Sequence, residues 1–197
     1  MKLDYNFYQK DAVSTAKNLL GKIIVRKIND EKIMVRIVDT EAYNGVEDKA
    51  SHAYGYKKTK RTKTMFARGG LAYIYLIYGM YHCFNIVTAE EDNPHAVLIR
   101  AVEPVKGLEL IRDNRKIKSK KIEDLTNGPG KLSEALKIDR SLNGIDLVKN
   151  NNLYLLDNND QNFKIKAAPR VNIDYAEEYK DKKWRFYIKG NKFISKS

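Results

Sequence analysis

The sequence holds a single cysteine, Cys83, in 197 residues. That excludes an internal disulfide and leaves no set of thiolates for a Cys-based zinc site. Histidine is nearly as scarce: His52, His82 and His95 fall on separate segments with no metal-ligand spacing to carboxylates, so neither a metal nor a cofactor is expected. No apolar run approaches the roughly 20 residues needed to cross a bilayer. The opening Met1-Lys2-Leu3-Asp4-Tyr5 also lacks the apolar core of a signal peptide. The expectation is a soluble, intracellular protein with no membrane partner. Nor is any stretch of Pro, Gly or Ser long enough to act as a linker, so residues 1–197 are expected to form one domain.

What the sequence has in excess is positive charge. Lys and Arg number 37 against 25 for Asp and Glu, a formal charge of +12. Such an excess favours a polyanionic partner, although charge alone does not separate DNA, RNA and anionic membrane. With 43% hydrophobic and 31% charged residues, the chain has the material for a substantial core under a charged surface.

The pattern of elements is α+β. Ala12, Ala16, Leu19 and Leu20 recur at helical spacing behind a capping Asp11, and Gly21 stands where that helix should stop. Lys22 to Ile28 and Lys32 to Thr40 read as strands joined by a turn at Asn29-Asp30-Glu31. A long polar loop from Asn44 to Lys63 follows. Leu71 to Tyr78, Tyr81 to Val87 and Ala96 to Val102 then suggest a central, largely antiparallel sheet. Leu108 to Arg115 reads as a helix, and Asn127-Gly128-Pro129-Gly130-Lys131 opens another through Leu132, Leu136 and Ile138. Leu153 to Leu156, Phe163 to Ala167 and Trp184 to Lys189 are shorter strand candidates, and the order of the basic stretch Lys116 to Lys121 stays open.

Some residues in this scheme are placed to do chemistry. Tyr73, Tyr75, Tyr78 and Tyr81 crowd one short segment. Strand alternation puts Tyr73 and Tyr75 on one face and Tyr78 on the other, as aromatic core or as planes on which a base stacks. Glu41 stands where an apolar strand meets the polar loop. It is either a solvated strand end or a carboxylate facing a pocket, where it could deprotonate a water. Arg100, embedded in Val97-Leu98-Ile99-Arg100-Ala101-Val102, would need a buried partner, for which a carboxylate is the usual choice. Gly128-Pro129-Gly130-Lys131 could offer backbone N–H groups to an anion, but it does not match the P-loop pattern.

Five ordered strings go further. Thr40-Glu41-Ala42-Tyr43-Asn44-Gly45-Val46-Glu47-Asp48-Lys49-Ala50-Ser51-His52 is the first, and Tyr75-Leu76-Ile77-Tyr78-Gly79-Met80-Tyr81 with Asn85 the second. Leu98 to Pro104, Asn127 to Leu132, and Pro169-Arg170-Val171 with Arg185-Phe186-Tyr187 complete the set. Together they resemble the alkyladenine (3-methyladenine) DNA glycosylase family over nearly the whole chain. The resemblance implies a curved, mainly antiparallel sheet surrounded by helices. It implies a monofunctional, monomeric enzyme acting on double-stranded DNA that contains damaged purines, among them 3-methyladenine, 7-methylguanine, hypoxanthine and ethenoadenine. Glu41 is implied as the general base. Arg100 and the backbone carbonyl of Val171 would help hold the attacking water, and Tyr43 and His52 would sandwich the flipped base. Tyr75 would pack on the edge of that base, Asn85 would crowd a guanine 2-amino group, and Tyr78 would wedge into the duplex.

Two departures stand out: Thr62 where the family often has Asn, and His82 where it is often apolar. Two other readings remain at this point. One is a non-enzymatic nucleic-acid binding module using the same surface, for which Glu41 would be dispensable. The other is a bifunctional lyase with Lys131 as amine nucleophile.

Overall fold

In the computed structural model, which describes residues 1–158 and 162–195, the Ile- and Val-rich stretches become the middle of one antiparallel sheet. Residues 159–161 and 196–197 of the expected domain lie outside the described residues. The chain runs α1 (Tyr5–Tyr8), α2 (Ala12–Leu19), β1 (Ile23–Ile28), β2 (Glu31–Asn44), β3 (Ala72–Ile77), β4 (Tyr81–Thr88) and β5 (His95–Lys106). It continues through α3 (Leu108–Arg115), α4 (Pro129–Ala135), β6 (Leu153–Leu156), β7 (Ile165–Ala168) and β8 (Arg185–Ile188), with short 3-10 turns between. The strand order is β3-β4-β5-β2-β1-β6, and β8 joins β2 and carries β7 on its other edge. The fold is α+β, with a mainly antiparallel open sheet in a single domain.

Strand β2 organises the molecule because it has three partners. Its first half pairs with β1 (Ile23↔Arg36 to Ile28↔Glu31), while Asp39, Thr40 and Glu41 pair with β8 on the same edge. Along its other edge it follows β5 for nearly its whole length. Burial records this: Ile33, Val35 and Ile37 are buried at strand alternation, and then every residue from Ile37 to Ala42 is buried. Two compensating bulges fall in that stretch. Ile37↔Val102 is followed by Asp39↔Ala101, leaving Val38 extra, and then by Thr40↔Ile99, leaving Arg100 extra. Bulges of this kind bend a strand and re-aim a side chain.

The main core lies where α2, α3 and α4 cover the sheet, with Leu19, Ile24, Ile37, Phe84, Ile99 and Leu132 packed together. Each such side chain contributes about 1.5–3 kcal/mol on burial. Asp11 caps α2 by accepting from the Ser14 N–H, and the Thr40 hydroxyl donates to the Ala16 carbonyl at 2.9 Å, tying α2 to β2.

Several boundaries differ from the sequence reading. β2 runs on to Asn44 rather than stopping at Thr40, because β5 and β8 supply ladder partners there. Glu31 belongs to β2, so the first hairpin turns on Asn29 (φ 54°) and Asp30 alone. The loop after Asn44 holds a 3-10 turn at Tyr54–Tyr56. The basic stretch after α3 is tied down: Ile117 packs on the core and the Ser119 hydroxyl donates to Asp124.

Candidate functional site

Beside the sheet lies a cavity of about 630 Å³, within the range of small-molecule sites. All eight residues to which the resemblance gives a role line it: Glu41, Tyr43, His52, Tyr75, Tyr78, Asn85, Arg100 and Val171. They come from the end of β2, the loop after it, the β3-β4 hairpin, the bulge of β5, and the segment between β7 and β8.

Glu41 is completely buried. Its Oε1 accepts from Arg100 Nη1 at 3.1 Å and from the Val171 N–H at 2.8 Å, and its Oε2 accepts from the Tyr43 hydroxyl at 3.1 Å. All three partners are donors, the set that an ionised carboxylate takes. Arg100, turned inward at its bulge, therefore finds the carboxylate partner that its apolar setting demanded. Burial, and then the charge of Glu41, push the Tyr43 phenol well above its usual range, so it stays a donor. At Val171 the group in contact with Glu41 is the backbone N–H.

A second tier holds these groups in place. Arg100 Nε donates to the Ser195 hydroxyl at 3.0 Å, and that hydroxyl donates to Asp39 Oδ2 at 2.8 Å. Arg185 Nε and Nη2 donate to Asp39 at 3.1 and 2.9 Å. Next to Val171, Arg170 makes a two-pronged ion pair with Asp48 at 2.6 and 2.8 Å, both side chains fully buried. Its guanidinium also lies near the rings of Tyr43 and Trp184, at 4.9 and 5.1 Å from their centroids. Asp48 accepts in addition from the N–H groups of Asn44 and Ala50, fixing the turn that follows Tyr43. Arg170 thereby braces both the Tyr43 ring and the backbone donor to Glu41.

The aromatic wall is built by strand alternation. Tyr73, Tyr75 and Ile77 of β3 all face the cavity. The His52 ring stands edge-on to Tyr75 at 4.7 Å, and its Nδ1 lies 3.0 Å from the Tyr73 hydroxyl. Burial, and secondarily the charge of Arg61, hold the His52 pKa down at about 4, so the ring is uncharged at neutral pH. Tyr78 departs from the alternation argument. It leaves the strand for the hairpin tip, where φ is 52° and the residue is 75% exposed, and the turn swings it back to the rim of the same cavity. Asn85 commits its amide nitrogen to the backbone carbonyls of Tyr73 and Cys83 at 3.0 and 3.2 Å, which fixes the side chain in the cavity wall.

Gly128, Pro129, Gly130 and Lys131 also line the cavity, and Lys131 Nζ donates to Asn127 Oδ1 at 2.6 Å. Thr62, one of the two departures, is buried. Its hydroxyl donates to the Lys57 carbonyl at 2.6 Å and accepts from the Thr59 N–H at 2.8 Å, closing the loop that carries Arg61. His82, the other, lies on β4 opposite Leu76 of β3.

Sequence reading missed Asp48, Arg170, Asp39, Arg185, Ser195 and Arg61. Asp48, Arg170 and Arg185 sit inside the quoted strings, which was the one available signal; Ser195 and Asp39 are 156 positions apart, and no local pattern links them. Among the described residues, no group of three or more His, Cys, Asp or Glu could hold a metal ion, and no helix is long and apolar enough to cross a membrane.

A family model described as "Methylpurine-DNA glycosylase (MPG)" matches residues 6–192. The "Putative 3-methyladenine DNA glycosylase" of Natranaerobius thermophilus is 59% identical over 196 residues, with 99% of each chain covered. Proteins of the same name from Desulfitobacterium hafniense and Borrelia garinii subsp. bavariensis are 49% and 47% identical over 200 and 195 residues. These matches cover 98% of this chain and 98% and 100% of theirs.

Proposed function

Because this chain belongs to the methylpurine-DNA glycosylase family, and so is a hydrolase of the N-glycosidic bond, we propose that it turns a damaged purine out of duplex DNA into the cavity above Glu41. There it hydrolyses the bond from sugar to base. The observation that carries this reading is the junction of two things in one cavity: a fully buried carboxylate held by three donors, and a wall of aromatic rings.

In this reading Glu41 accepts a proton from a water held against it with the help of Arg100 and the Val171 carbonyl. The water oxygen bonds to the anomeric carbon, and the base leaves with the electrons of the glycosidic bond. The products are a free base and an abasic sugar. A positioned carboxylate base contributes typically about 10²- to 10⁴-fold. Alkylation at N3 or N7 makes the purine cationic, which eases its departure and favours stacking on the face of Tyr43, with Tyr75 packed on its edge. An uncharged His52 on the other side of the base adds no repulsion. Asn85 crowds the 2-amino group of guanine, and Tyr78 fills the gap left in the duplex.

The substrates proposed are 3-methyladenine, 7-methylguanine, hypoxanthine and ethenoadenine. The test is base release under single-turnover conditions from methylated DNA and from duplexes carrying one hypoxanthine or ethenoadenine, with borohydride present in a parallel arm. Release without a trapped covalent adduct is expected. Tight binding with no release from any of these would replace the reading with a binding module, and an adduct lost in Lys131→Ala would replace it with a lyase.

A further inference from the structure

Arg61 is an exposed residue of the loop after β2, yet it is held in one place. Its guanidinium lies over the Tyr75 ring at 4.9 Å, and the next residue, buried Thr62, closes the loop around it. From there Nη2 reaches His52 Nε2 at 3.2 Å. A guanidinium has donors and no acceptor, so Nε2 must be the acceptor. The one proton of the uncharged imidazole is then on Nδ1, which donates to the Tyr73 oxygen at 3.0 Å. That oxygen also interacts with Arg61. Since it accepts from His52, its own O–H must point elsewhere, and Tyr73 lines the cavity. Burial keeps this phenol protonated, with its pKa pushed up to about 12.

We propose that Arg61 is a positioning residue for the base pocket: it fixes His52 as the Nδ1–H tautomer and, through it, turns the Tyr73 hydroxyl proton toward the ligand. The ligand chemistry this selects is a purine stacked on an uncharged imidazole, with a hydrogen-bond acceptor on the edge that meets Tyr73. The proposal rests on the reading of the cavity as a base pocket. It adds a polar relay, Arg61 to His52 to Tyr73, running in one direction.

The imidazole nitrogens of the free protein at neutral pH provide the test, read by ¹⁵N NMR and assigned with His52→Gln. Wild type should show His52 as a single tautomer with the proton on Nδ1. Arg61→Met keeps an apolar stem against Tyr75 and removes the donors, so the Nε2–H form should become populated. Single-turnover excision should fall about tenfold, the scale of one charge-assisted hydrogen bond, while affinity for an abasic-site duplex changes far less. Arg61→Lys, which restores a donor and a charge, should recover the single tautomer and most of the rate. An unchanged tautomer in Arg61→Met overturns the proposal, and so does a shifted tautomer with an unaltered excision rate. The NMR arm needs no DNA, so a wild type that excised nothing would count against the base-pocket reading separately.

Discussion

Buried charges in this protein are matched charge for charge, and their partners come from far along the chain. Asp48 and Arg170 show what such a match does: with both side chains at zero exposure, removing one charge strands the other in a medium that cannot solvate it. Asp48→Asn should therefore destabilise the fold by about 3–5 kcal/mol in urea denaturation, far more than the ~0–1 kcal/mol of a surface pair. A loss under about 1 kcal/mol would contradict a dry, two-pronged pair. His52 makes a second residue-level prediction. Its folded pKa of about 4 lies below the 6.5 of a free imidazole, so the unfolded chain takes up its proton first. The stability gained from keeping His52 neutral is complete above pH 6.5 and drains away as pH falls toward 4, by about 3 kcal/mol at most. Stability measured from pH 7 to 4.5 should fall more steeply for wild type than for His52→Gln; parallel curves would contradict it. At this scale the sequence showed which residues were chemically unusual, Glu41 and Arg100 among them. It did not show their supports, because partners such as Arg170 to Asp48 are 122 positions apart and are joined only by tertiary closure.

Among the elements, the β3-β4 hairpin carries an exposed apolar tip at a cost. Tyr78 holds a left-handed backbone, φ 52°, while packing little of its ring, and Met80 beside it is 68% exposed. A bulky residue in that conformation is strained by about 1–2 kcal/mol, a penalty glycine does not carry. Tyr78→Gly should thus leave the melting temperature unchanged or raised while slowing excision from duplex DNA. A clear fall in stability would mean that the ring has a structural task instead. The cavity wall at Gly130 depends on a close approach: a Cβ there would stand 2.8 Å from the Tyr81 ring. Strand and helix identities were legible because their Ile, Val and Ala positions repeat at the right period. The extent of β2 and the inward turn of Arg100 were not, since both follow from partners on β5 and β8 and from bulges that periodicity does not encode.

The whole molecule carries +12, which the folded domain brings to a duplex with about two phosphates per 3.4 Å. Affinity for undamaged duplex should therefore fall by about 10³-fold or more between roughly 50 and 200 mM salt if six or more phosphates are neutralised. A flat dependence would point away from DNA as the polyanion. Damage recognition and bond cleavage should show much less of this dependence, because they depend on a cavity whose aromatic and buried charged groups are shielded from salt. The central claim concerns that cavity, and Glu41→Gln addresses it most directly. The substitution keeps the shape and removes the proton acceptor. Single-turnover release of hypoxanthine or ethenoadenine should drop by at least about 10²-fold, with affinity for an abasic-site duplex retained. Excision that survives in Glu41→Gln at near wild-type rate would contradict the claim.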